Sequence, residues 1–217
     1  MRTGHLRFGV ALSLVFAAAA CGDDGIDSNE AARRAYLGLD PSIPQSLQLG
    51  FDGFNSAQSA NIAPQMGAGE DSGMLTITGQ VDQGASDNKG MRLYVGMVDY
   101  SKGPFTVVVN PGTDDEETVT VDLTYNTSEV QLEQPYLNLT LRNIPTGTFD
   151  GTLTGAYRVT GEIQPDEGID ADVTLSLSFT GTLVDLGNGA TGRAPGTVVT
   201  GTATSGDGMY EVNLTLP

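Results

Sequence analysis

Tryptophan is absent from this 217-residue chain, cysteine and histidine occur once each, as Cys21 and His5, and lysine occurs only at positions 89 and 102. Beyond residue 21 there is neither thiol nor imidazole. This removes disulfides, cysteine nucleophiles, histidine-dependent triads and the usual zinc and copper ligand sets from the bulk of the chain. Lys89 and Lys102 both sit beside glycines in turn-like sequence, so both are expected to be exposed and structural rather than desolvated for Schiff-base chemistry. Basic residues are scarce altogether. With Lys+Arg 10 against Asp+Glu 27 the net charge is −17, which repels phosphate backbones and argues against nucleic-acid partners. Such a charge also keeps a soluble surface from self-association.

No apolar run is long enough to span a membrane as a helix. The longest, Phe8–Ala20, has 13 residues and would reach only ~20 Å against a hydrocarbon core of ~30 Å. It follows Arg2 and Arg7 and ends in Ala18-Ala19-Ala20-Cys21. A cationic start, a short apolar segment and small residues before a cleavage point define a secretory signal peptide. The cysteine adds more. The stretch resembles the lipobox signal of bacterial lipoproteins, with Ala18 where that family prefers a branched apolar residue. The resemblance covers about twenty residues and implies a diacylglyceryl group on the Cys21 thiol, cleavage just before it and acylation of the new amino group. Several acyl chains on one residue would make a stable anchor, each buried CH₂ contributing ~0.8 kcal/mol. Gly22 stands where some lipoproteins carry an aspartate that retains them at the inner membrane, so the resemblance implies the outer membrane of a bacterial envelope.

Cleavage at Cys21 would leave 197 residues with a net charge of −19, because Arg2, Arg7 and His5 go with the signal. A chain of that length can bury a sizeable core without bridges. The expected organisation is a signal peptide over 1–20, a lipidated flexible tether over 21–29, an irregular lead-in over 30–72 and an antiparallel β domain over 73–217. Within the lead-in, Glu30–Leu37 can form two helical turns behind a cap at Ser28 or Asn29. From Pro41 to Gly73 neither a period of two nor one of 3.6 persists, and Gly50-Phe51-Asp52-Gly53-Phe54-Asn55 is expected to pack that segment over one end or edge of the β domain.

From Gly73 on, strict alternation takes over. Val119, Val121, Leu123 and Tyr125 alternate with Thr118, Thr120, Asp122 and Thr124, and Val173, Leu175, Leu177 and Phe179 alternate with Thr174, Ser176 and Ser178. Such a period puts apolar residues on one face and Thr/Ser on the other. Short turn-rich breaks divide the pattern into about nine strands, near 73–82, 91–100, 104–109, 117–125, 135–142, 149–163, 170–185, 196–204 and 209–216, joined as an antiparallel meander. Gly151, Gly155 and Gly161 on the apolar face of 149–163 mark places where a long strand bends. The fold class is therefore all-β, a β-barrel or curled β-sandwich. Alternation leaves one ambiguity, since a lipid-facing barrel uses the same pattern inverted.

Carboxylates are the remaining chemistry. They cluster in turns, at 114–117 and at Asp166, Glu167, Asp170 and Asp172. Asp166, Asp170 and Asp172 are the candidate ligands for calcium, a hard ion held by oxygens from flexible loops, although the spacing does not match the twelve-residue calcium loop. No catalytic set emerges. Three readings follow: a non-catalytic, lipid-anchored envelope protein for surface structure or interaction with an envelope polysaccharide or protein; a lipocalin-like carrier of an apolar ligand; and a calcium-dependent carbohydrate-binding module. A carboxylate glycosidase would usually present aromatic platforms beside its acids, and the chain has no tryptophan.

Overall fold

Alternation in the sequence becomes eleven antiparallel strands of one sheet in the computed structural model, which describes residues 25–164, 167–187 and 190–217. The strands are β1 (Asn61–Ala68), β2 (Ser72–Val81), β3 (Lys89–Ser101), β4 (Phe105–Val109), β5 (Glu117–Asn126) and β6 (Tyr136–Arg142). They continue with β7 (Thr148–Gln164), β8 (Glu167–Gly187), β9 (Ala190–Arg193), β10 (Val198–Ser205) and β11 (Gly208–Thr215). The nine expected strands fall on β2–β8, β10 and β11. β1 escapes the pattern because a bulge between Ile62 and Gln65 interrupts its alternation, and β9 is four residues with no large apolar side chain.

The hydrogen-bonded order β1-β2-β3-β5-β7-β8-β10-β11 departs from a simple meander at its centre. There β5 and β6 lie end to end on one track between β3 and β7. Lys89–Tyr94 of β3 pair with β6 and Tyr100–Ser101 with β5. Across the track, Thr148–Thr154 of β7 pair with β6 and Arg158–Glu162 with β5. Residues 127–135 leave this track and return to it, pinned where Thr127 N–H donates to the Met97 carbonyl and Val95 N–H to that of Pro135. A short 3₁₀ turn, Gln131–Glu133, lies in the excursion.

Two helices occupy the apolar side of the sheet. α1 (Asn29–Leu39) starts at Ser28, whose hydroxyl accepts from Ala31 N–H at 3.1 Å. It packs on β5, β7 and β11 and is buried nearly all round, from Ala31 to Leu39. Ala31, Ala32, Ala35 and Gly38 permit close approach. A Cβ on Gly38 would stand 2.4 Å from the Tyr125 hydroxyl, which donates to the Ala35 carbonyl.

The expected irregular stretch after Pro41 is instead α2 (Ser42–Ser56) followed by β1. Its helical period was hidden because the buried face, Ser42, Ile43, Ser46, Leu47, Gly50 and Gly53, is mostly Ser and Gly rather than large apolar residues. α2 packs on β1, β2, β3 and β9, and Phe51 and Phe54 lie partly buried against the core.

Helices that touch strands from β1 to β11 require the sheet to curl around them. Its inner face is apolar: Leu75, Ile77, Leu93, Leu137, Leu153 and Val199 are fully buried, each such side chain contributing about 2 kcal/mol. The outer face of β8, from Asp172 through Thr174, Ser176, Ser178 and Thr180, is exposed. On β8 the apolar face is therefore the inner one, the reverse of the apolar exterior that a lipid-facing barrel needs. β7 departs from regular strand geometry at Gly155 and Gly161, with φ +151° and +131°, conformations that only glycine adopts readily. Gly151 stays extended.

Candidate functional site

Cys21 lies outside the described residues, but the start of the fold beyond it does not. Ile26 is already buried in the core, so the domain begins nearer Cys21 than the tether expected over 21–29. The α1 N-terminus borders an open cleft of about 720 Å³ lined by Arg33, Asp115, Glu116, Glu117 and Glu211 among others. Glu117 is held by Arg34 at 2.8 Å, and Glu211 N–H donates to the Asn29 side chain. This is the acidic turn at 114–117 read from the sequence, and it flanks the N-terminal end of the described domain.

Of the calcium candidates, Asp166 lies outside the described residues, while Asp170 and Asp172 share the outer face of β8. They are neighbours two apart on one strand, so their shared face follows from the strand period and not from the hairpin end that was expected to gather them. The cation they engage is Arg158 on β7, whose guanidinium bonds Asp170 and reaches Asp172 at 3.5 Å. Among the described residues no three His, Cys, Asp or Glu side chains are grouped to hold a metal ion.

Lys89 differs from expectation. It is 5 % exposed, its ammonium donating to the Gly84 carbonyl at 2.6 Å and lying 4.7 Å from the Phe54 ring centre. The ammonium thus ties the Gly84 turn to the Phe54 ring of α2, and a lysine beside a glycine becomes a buried clasp. Lys102 is less covered, pairing with Glu70 and lying over Phe105.

The inner face is lined by buried apolar side chains, Leu75, Ile77, Leu137 and Leu153 among them. The apolar void between α2, β6, β7, β8 and β9, lined by Ile43, Leu47, Leu139, Phe149 and Leu183, measures about 10 Å³. Buried polar groups there serve the packing. Arg193 of β9 forms a bidentate pair with Asp40, its Nη2 2.7 Å from Oδ2, and the Tyr36 hydroxyl donates to Asp40 Oδ1 at 2.6 Å. Burial opposes the Arg193 charge, but the bonds and attraction of Asp40 outweigh it and raise its pKa. Burial, then Asp40, pushes the Tyr36 hydroxyl well above the ordinary range.

The second surface site lies on the outer face over β1, β2, β3 and β6, where the β1 bulge and the 127–135 excursion wall a groove of about 480 Å³. Tyr94 of β3 and Tyr136 of β6 stand on its floor, ring centres 5.2 Å apart and tilted by 57°. Gln80 donates to Asn61 at 2.8 Å on one side and Gln131 to Thr78 at 2.7 Å on the other. Arg92 at its end is paired with Asp82 at 2.7 Å; this bond holds the Asp82 carboxyl below its usual range. Sequence reading missed this groove. Its residues run from 61 to 136, and the only local signal was a tyrosine on each of two outer faces, Tyr94 between Arg92 and Gly96 and Tyr136 beside Asn138.

No helix among the described residues is long and apolar enough to cross a membrane. Comparison with protein-family models, with characterised proteins and with solved structures finds no match, so the functional reading rests on the chain's own residues.

Proposed function

We propose that this chain is a non-catalytic envelope lipoprotein, anchored through acyl chains on Cys21 and presenting an acidic β domain for surface structure or interaction. The observation that carries the reading is the signal itself: Arg2 and Arg7, the apolar run Phe8–Ala20 and Cys21 at its end. The domain fits such an anchor. Four residues separate Cys21 from buried Ile26, a span of at most ~18 Å, so the acidic cleft beside α1 would lie close to the bilayer. Like charge there would keep the domain off an anionic lipid surface.

The fully buried inner-face side chains and the void of only about 10 Å³ beneath α2 favour this reading over a lipocalin-like carrier, whose pocket would be several hundred Å³. Among the described residues its carboxylates favour it over catalysis, since they are exposed on turns and outer faces or held in ion pairs rather than converging in a desolvated site. Mass spectrometry of the membrane-extracted protein tests the anchor. A mature chain starting at Cys21 with added acyl mass is expected, and Cys21→Ser abolishes both the added mass and cleavage at that point. An unmodified Cys21 in the membrane fraction, or an intact start at Met1, overturns the proposal.

A further inference from the structure

The groove over β1, β2, β3 and β6 combines shape, charge and side-chain chemistry that agree on one class of ligand. Its volume of about 480 Å³ falls within the ~300–1,000 Å³ typical of small-molecule sites. The bulge around Ala63 and Pro64 opens it by taking β1 out of register with β2, and bulges often re-aim side chains beside binding sites.

Its polar groups are planar amides. Each primary amide offers two N–H donors and one carbonyl acceptor, and the bonds Gln80 to Asn61 and Gln131 to Thr78 use one donor apiece. The bonds orient these amides while leaving capacity for a ligand. Donors and acceptors side by side suit vicinal hydroxyls, which also donate and accept. Tyr94 and Tyr136 supply ring surface between the two amide walls, and each carries an apolar body with a polar tip.

Charge excludes the main competitors. Arg92, the groove's cation, is neutralised by Asp82, and the chain as a whole carries −17, so an anionic ligand is repelled. A peptide gains little, because the β2 and β3 backbones beneath are paired with each other at Thr78 and Tyr94 and offer no free ladder for strand addition. We infer that this groove binds a neutral oligosaccharide, a sugar ring lying on Tyr94 and Tyr136 and its hydroxyls bonding Asn61, Gln80 and Gln131. The interaction needs no calcium.

Heteronuclear NMR titration of the full chain in detergent micelles tests this with cellohexaose, chitohexaose and maltohexaose. An anionic galacturonate hexamer and an uncharged Ala-Gly hexapeptide serve as competitors. At least one neutral sugar should give saturable shifts at Asn61, Gln80 and Gln131 at millimolar concentration. Tyr94→Ala and Gln131→Ala should each weaken that binding about tenfold or more, whereas Met209→Ser, on exposed β11 surface, should leave it unchanged. Gln131 is exposed on its turn, so its variant decides the matter even where Tyr94→Ala fails to fold. Absence of saturable shifts from all three sugars overturns the inference. So do equal binding of the galacturonate, peptide binding without sugar binding, or sugar binding that Gln131→Ala leaves intact. Acylation at Cys21 is a separate measurement, and either proposal can fail alone.

Discussion

Arg193 and Asp40 join elements 153 residues apart in sequence, and neither was singled out as a site because an isolated arginine in a Gly/Thr-rich stretch reads as surface charge. Their environment is what gives them weight. A buried ion pair adds little over apolar packing, yet removing one partner leaves the other charge uncompensated. Asp40→Ala should therefore destabilise the fold by about 3 kcal/mol in urea unfolding, and adding Arg193→Met should recover part of the loss. Cys21 and Lys89 mark the two limits of residue-level reading. The lipobox signal is local, so Cys21 can be singled out from twenty residues, whereas burial of Lys89 depends on Phe54 arriving from α2, some 35 residues earlier in the chain.

At the level of elements, period-two alternation was legible because it arises between neighbours in the chain. Hence all nine expected strands are present, and Ser28 caps α1 where a cap was read. What escaped was non-local or disguised. Sharing of one track by β5 and β6 is a pairing choice made by β3 and β7, not by the two short strands. α2 was masked by Ser46, Gly50 and Gly53 on its buried face. The groove draws on β1, β2, β3, β6 and a turn, so no window of sequence contains it.

The unusual backbone of β7 falls on glycines that the sequence had singled out, Gly155 and Gly161, and it supplies a test. A Cβ at Gly161, where φ is +131°, would stand 2.2 Å from the Asp122 carbonyl oxygen, while one at Gly168 meets nothing nearer than 3.7 Å. Gly161→Ala should cost about 2 kcal/mol or more in chemical denaturation, and Gly168→Ala should stay within about 0.5 kcal/mol.

For the molecule as a whole, the buried tyrosines set the alkaline limit. Burial, then Glu70, pushes Tyr100 up to about 12. Burial is also the leading cause of the raised values of Tyr36, Tyr125 and Tyr157. The folded state holds these phenols neutral, whereas the unfolded chain releases their protons near pH 10. Their contribution is therefore complete below pH 10 and is lost as pH rises toward 12 and beyond, each tyrosine removing up to ~1.4 kcal/mol per pH unit. Tyrosinate absorbance and loss of circular dichroism should rise together in one steep transition above pH 10. Tyr157→Phe should flatten it without loss at neutral pH, because the Tyr157 hydroxyl is buried without a hydrogen-bond partner.

The break between β5 and β6 has another reach. Residues 127–135 form one wall of the groove yet contribute little to the ladder, and Thr127 and Pro135 hold the ends of the excursion against β3. Doubling a loop costs only ~0.6 kcal/mol of closure entropy. Insertions there would remodel the wall that carries Gln131 while leaving the curled sheet and its helices untouched, so lineages of this chain could exchange one ligand preference for another without having to reinvent the fold.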